Sequence, residues 1–228
     1  MILTDLSQIF LAPLFLDSAA KSCAQNPSES SRDMILHYTL NSLRSNMVQH
    51  SKVYGHKMVI ACDTTSWRVK KFPNYKITRK QNRAKDTSGI DWDFVFETQT
   101  YVRAVIDEYL PYTLIETPNA EADDIIGAIV KHVSEADTGE ENMFGEADAE
   151  PILILSSDKD HFQVHRYKNV KQWSPPIKKL IKPETNARCA LIEKIVRGDS
   201  GDSIPSIKCG DDWFKDHTTG SGRRAPPI

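Results

Sequence analysis

Four short apolar runs recur along this chain, and each closes on or beside an acid. They are "ILTD" at 2–5, "KMVIACD" at 57–63, "YTLIE" at 112–116 and "PILILSSD" at 151–158. A fifth run, "NVKQWS", follows at 169–174. Runs this short and this continuously apolar suit strands buried on both faces. The stretches between them repeat at the helical period. Residues 31–54 place Ile35, Leu36, Leu40, Leu43 and Met47 along one stripe, and residues 91–110 and 184–196 behave alike. Strands alternating with helices predict an α/β fold, a mostly parallel twisted sheet with helices on both faces.

A chain of 228 residues can bury a full core as one domain. No apolar run approaches the ~20 residues of a membrane span. The N-terminal "MILTDLSQIFLAPLFL" lacks a basic start and contains Asp5, so it reads as a strand and a helix rather than a secretion signal. Four cysteines without C-x-x-C spacing fit a reducing compartment, and a cytoplasmic monomer with no membrane partner is expected.

Charge is unevenly spread. From Thr64 to Lys85 there are eight Lys or Arg and no acid: Arg68, Lys70, Lys71, Lys76, Arg79, Lys80, Arg83 and Lys85. The net charge is nevertheless −2, so the remainder of the chain is acidic. A concentrated basic segment beside acid clusters points to a polyanion with cations bound at the acids. Trp67, Phe72 and Tyr75 are interleaved with the bases and are placed either to stack on nucleotide bases or to pack inward. The segment at about 134–150 is rich in acids, has no base, and reads as a solvated loop.

In an open α/β sheet, ligands bind outside the carboxyl ends of the strands. Asp5, Asp63, Asp158 and Asp160 fall at such ends, and "EADDIIGAIV" at 121–130 follows the third strand. Three acids in four positions repel unless a cation lies among them. On a helical wheel the core stripe is Ala122, Ile125, Ile126, Ile129 and Val133. Glu121 and Asp123 flank it, while Asp124 lies opposite, suited to a water-mediated or capping role. "RGDSGDSIPSI" adds Asp199 and Asp202. All-oxygen donors suit Mg²⁺, with Mn²⁺ able to substitute, and two such ions can serve phosphate-ester hydrolysis.

Taken in order, "ACDTTSWRVKKFPNYKITRK", "EADDIIGAI", "LSSDKDHFQ" and "RGDSGDSIPSI" resemble the structure-specific 5′ nucleases, the flap endonucleases and 5′→3′ exonucleases. The likeness is nearest to the ribonuclease H branch of T-even phages and covers nearly the whole chain. It implies a PIN-like core, two metal sites and a flexible basic arch, here at about 64–90, through which a single-stranded 5′ end threads. By motif match, Asp5, Asp63, Glu121, Asp123, Asp124, Asp158, Asp160, Asp199 and Asp202 fall at metal-carboxylate positions. Lys76 and Arg79 match the basic pair at the scissile phosphate, and Arg68 falls where an arginine often follows the second-strand Asp. Lys70, Lys71, Tyr75, Lys80, Arg83 and Lys85 are then expected to hold the strand. The implied partners are DNA and RNA–DNA hybrids with a 5′ end, together with a single-strand-binding protein.

The catalytic domain is read as 1–207, and 208–228 as the remnant of a helix–hairpin–helix region that would grip duplex DNA. Its loss would weaken that grip. Ser203 also stands where Asn is usual in the family. Two rival readings remain on the residues alone. One is a nucleic-acid-binding remnant without chemistry. The other is an aspartyl-phosphate phosphatase of the haloacid dehalogenase type, suggested by D-x-D after an apolar strand, though Phe162 occupies the position where that chemistry prefers a small β-branched residue.

Overall fold

The computed structural model describes residues 1–136 and 149–209. Five parallel strands form the sheet: β1 (Ile2–Asp5), β2 (Met58–Cys62), β3 (Thr113–Glu116), β4 (Ile152–Leu155) and β5 (Val170–Ser174). A sixth, β6 (Lys179–Ile181), pairs antiparallel with β5 at the edge. The order is β3-β2-β1-β4-β5-β6. The chain therefore winds outward from β1 to β3, then crosses to the other side of β1 and continues through β4. That reversal opens a crevice at the carboxyl ends of β1 and β4, the usual ligand position in such sheets.

The alternation of side chains along each strand builds two cores. Ile2, Met58, Ile60, Cys62, Leu153 and Leu155 face one side, against α1 (Leu6–Leu16), α3 (Glu29–Tyr54) and α6 (Trp92–Tyr109). Leu3, Val59, Ala61, Ile152 and Ile154 face the other, against α7 (Ala122–Glu135). Burial on both faces is what made these runs continuously apolar. Asp17 ends α1 and caps α2 (Ser18–Gln25) by accepting from the Ala19 and Ala20 N–H groups. Among the described residues, no helix is long and apolar enough to cross a membrane.

Several boundaries differ from the sequence expectation. The long helix begins at Glu29 because Ser28 caps it, and the last helix, α8 (Ala187–Arg197), begins only after Asn186 caps it. β6 has just three residues and is mostly exposed, too short a pattern to read. The basic segment contains two short helices, α4 (Arg68–Lys71) and α5 (Ile77–Ala84). On α7, Val130 joins Ala122, Ile125 and Ile126 in full burial, while Ile129 and Val133 are only partly covered. The central part of the acid-rich segment, 137–148, and the terminal 210–228 lie outside the described residues.

Candidate metal centre

Each acid is placed by the element that carries it. Asp5 ends β1, is buried, and caps α1 by accepting from the Ser7 N–H at 2.7 Å. Asp63 follows the neighbouring strand β2. It accepts from the Ser7 hydroxyl at 2.8 Å and from the Ala122 N–H, the first of α7, at 2.8 Å. A helix N-terminus thus faces the Asp63 carboxylate. Burial, and then the charges of Asp63 and Asp123, push the Asp5 carboxyl up to about 7.

The crowded acids of α7 point to two places. Glu121 is the cap residue, and its carboxylate accepts from Arg68 Nη1 (2.8 Å), the Tyr75 hydroxyl (2.8 Å) and Ser66 Oγ (3.0 Å), with Lys76 Nζ as a further partner. Asp124 makes a bidentate pair with Arg68, both contacts 2.8 Å, and closes the capping box by accepting from the Glu121 N–H. Burial opposes ionisation of both groups, but Lys76 at Glu121 and Arg68 at Asp124 outweigh it and hold each below the usual carboxylate range. Asp123 turns the other way, with His161 Nε2 at 3.1 Å from its Oδ1. Burial raises its carboxyl, and His161 more than reverses that.

Beyond β4 the chain enters a 3₁₀ segment, Lys159–Arg166, which Asp158 caps by accepting from the Asp160 N–H at 2.9 Å. Burial and the nearby Asp123 push the Asp158 carboxyl up. Asp123, Asp158 and Asp160 offer oxygens within 4.8 Å of one another, and so do Asp160, Asp199 and Asp202. The two triads share Asp160. Their donors are all carboxylate oxygens, so a pair of hard divalent cations fits the residues present.

Asp199 and Asp202 depend on a tight turn. Gly198 has φ 71°, and a Cβ there would sit 2.5 Å from the Ile204 and Pro205 carbonyl oxygens. Asp199 accepts from the Gly201 and Asp202 N–H groups, at 2.8 and 3.2 Å. The same turn anchors the basic segment. Ser203, itself at φ 61°, accepts from the Thr78 N–H at 3.1 Å near the start of α5. Lys76, at φ 56°, donates its N–H to the Asp202 carbonyl at 2.9 Å. A lysine held in the left-handed region costs about 1 kcal/mol or more, so tertiary contacts must fix it. Arg79 Nη2 lies 2.6 Å from Asp202 Oδ1. The Trp67 N–H donates to the Asn119 carbonyl, tying the other end of the segment to the start of α7.

Of the sequence candidates, Asp123, Asp158, Asp160, Asp199 and Asp202 form the triads. Asp5 and Asp63 lie behind them, while Glu121 and Asp124 hold Arg68 and Lys76. Lys76 and Arg79 stand at the rim. Tyr75, expected from the sequence to hold the strand, is buried at the cleft wall with its hydroxyl on Glu121 and Asp202. Trp67 is exposed, with Arg68 over its ring at 4.9 Å. Lys70, Lys71, Lys80, Arg83 and Lys85 are all exposed. Sequence reasoning missed His161, Ser7 and Lys194, whose Nζ bridges Asp160 and Asp199. His161 directly follows the D-x-D, and that adjacency was the one local signal available.

Residues 24–194 match the family model described as 5′-3′ exonuclease, N-terminal resolvase-like domain, and the chain belongs to this family of 5′–3′ exonucleases and flap nucleases, with a PIN-like core. It is 32% identical over 232 residues to the Ribonuclease H of Enterobacteria phage T4, spanning 99% of this chain and 68% of that protein. Its fold matches the flap endonuclease of bacteriophage T5 in a complex with DNA and metal ions (TM-score 0.63, 16% identity, 97% of this chain and 75% of that one). It also matches the phage T5 5′-exonuclease with bound zinc (TM-score 0.64, 16% identity, 91% and 70%). Family membership sets the phosphatase reading aside.

Proposed function

We propose that this chain is a divalent-metal-dependent 5′→3′ nuclease that hydrolyses phosphodiester bonds near the 5′ ends of RNA–DNA hybrids, flaps or duplex DNA, as in RNA primer removal during phage-type replication in an infected cell. One observation carries the reading: two carboxylate triads share Asp160, and basic side chains stand directly beside them, Arg79 on Asp202 of the second triad and Lys76 on the neighbouring Glu121. The phage relative named for ribonuclease H activity and the fold neighbour crystallised with DNA support the substrate class.

Asp123, Asp158 and Asp160 would hold one Mg²⁺ or Mn²⁺, and Asp160, Asp199 and Asp202 a second, with Asp5 and Asp63 supporting the first from behind. Such ions, when bound, supply a water of lowered pKa and charge neutralisation at the leaving oxygen. The protein's own part is orientation and charge. Glu121 and Asp202 keep Lys76 and Arg79 at the rim, where they neutralise charge growing on the scissile phosphate. Arg68, locked by Asp124, holds Glu121 in place. The exposed Lys70, Lys71, Lys80, Arg83 and Lys85 attract the strand through phosphate contacts, and a single-strand-binding protein is the natural partner for the product.

The test is cleavage of a 5′-labelled RNA–DNA hybrid and a 5′-tailed duplex with Mg²⁺ and with EDTA. Metal-dependent release of short 5′ products is expected. Cleavage that persists in EDTA, or none under either condition, would overturn the reading.

A further inference from the structure

Residues 166–188 carry seven Lys or Arg against one acid, Glu184, and none of these bases belongs to the carboxylate crevice. Folding gathers five of them. Arg166, Lys168, Lys171, Lys182 and Arg188 line an open groove of about 750 Å³ between the end of the 3₁₀ segment, β5, the strand after it and the start of α8. No carboxylate lines that groove. Among the described residues, Arg166 approaches Glu135 at 3.9 Å, and no acid lies within ion-pair distance of Lys168, Lys171, Lys182 or Arg188. A solvated face ordinarily mixes both signs. A concave wall of one sign concentrates a polyanion.

The groove is continuous with the metal centre. Pro183 and Thr185 belong both to it and to a second cavity of about 870 Å³, which Lys159, Lys194 and Arg197 line together with Glu184, Glu193, Asp158 and Asp199. Lys194 and Asp199 belong in turn to the cleft that holds Arg68, Tyr75 and Glu121. A strand whose 5′ end lies against α5 therefore meets the carboxylates and leaves them toward this groove. The two sides also differ in kind. The α5 side offers an exposed Trp67 with Arg68 stacked on it, suited to unpaired bases. The groove offers cations and two rings that are already engaged: Tyr167, with Arg166 over it at 4.7 Å, and His165, on Gln172 and edge-on to Phe162. Cations that outnumber stacking faces suit a backbone whose bases are already paired.

We propose that this groove holds the sugar–phosphate backbone of the duplex part of the substrate, on the side of the carboxylates away from the basic arch. The assignment rests on the nuclease reading and gives the described residues a duplex contact of their own.

The test is the triple variant Lys168→Ala, Lys171→Ala, Arg188→Ala in the full chain. All three side chains are exposed, so its thermal unfolding should match the wild type. Binding of a 5′-tailed duplex, a blunt duplex and the tail strand alone is titrated in EDTA at several salt concentrations. Affinity for both duplexes should fall about tenfold or more, and the slope of log affinity against log salt should become shallower by about 0.9 per lost phosphate contact. Affinity for the single strand, and the single-turnover cleavage rate at saturating protein with Mg²⁺, should be unchanged. Unchanged duplex affinity and slope, or an equal loss on the single strand, would overturn the proposal. Wild-type cleavage is scored separately. A variant that keeps full duplex binding while the wild type cleaves refutes the groove alone. A wild type that never cleaves refutes the nuclease reading whatever the groove does.

Discussion

Replacing Asp5 by Asn should stabilise the metal-free protein, and by an amount that depends on pH. Asp5 is 7% exposed, and its carboxyl is raised from 3.8 to about 7, first by burial and then by Asp63 and Asp123. A carboxyl raised on folding binds its proton more tightly in the native state, so folding is favoured when that proton is present. Its contribution is full below about 3.8 and is lost as pH rises through about 7. A shift of that size corresponds to an order of 4 kcal/mol. Asn carries no charge at any pH and can still accept from the Ser7 N–H. The variant should therefore exceed the wild type by only about 1 kcal/mol near pH 4.5 and by about 4 kcal/mol at pH 8. Urea unfolding in EDTA at both values, with the two chains compared at each, cancels most other titrations. Mg²⁺ should stabilise the wild type more than the variant at pH 8, since the cation answers the same repulsion. A variant less stable at pH 8, or a difference that does not change with pH, would refute the account of Asp5 as a buried acid held against its neighbours.

Asp158→Asn, in a position where burial already favours the neutral carboxyl, should abolish detectable cleavage while thermal unfolding stays close to wild type. Loss of folding with loss of cleavage would point instead to a structural acid. Lys76→Ala should lower the single-turnover rate by about a hundredfold or more, as expected for losing one preorganised charge, and Lys85→Ala should weaken binding modestly with the bound-state rate intact. Equal effects of the two on rate would remove the distinction between chemistry and strand attraction. Gly198→Ala must strain a left-handed turn and press on the Ile204 and Pro205 carbonyls. It should cost about 1–3 kcal/mol in chemical denaturation and lower the activity that depends on Asp199 and Asp202.

Local sequence determined the sheet and the positions of its acids. Ile2 and Leu3 fall on opposite faces because strand side chains alternate, and Met58, Val59 and Ile60 follow the same rule. With both faces buried, the runs had to be apolar throughout, and an acid had to wait for the strand end. That is why Asp5, Asp63 and Asp158 could be read as one edge before any fold was known. The tertiary structure decided which acids stand together. Glu121, Asp123 and Asp124 are neighbours in sequence, but each helical step turns about 100°. Two of the three therefore meet the basic segment, where Arg68, Tyr75 and Lys76 claim them, and one meets His161 and the D-x-D. No local period encodes that division, because Lys76 and Tyr75 lie 45 and 46 residues before Glu121, and His161 lies 38 after Asp123. Lys194 reaches Asp160 from a helix 34 residues on, and Ser203 caps α5 across 125. The basic groove was equally hidden. Its lysines and arginines are scattered over a 3₁₀ end, a strand, a loop and a helix start, and they become one surface only when β6 folds back on β5 and draws the chain to the start of α8.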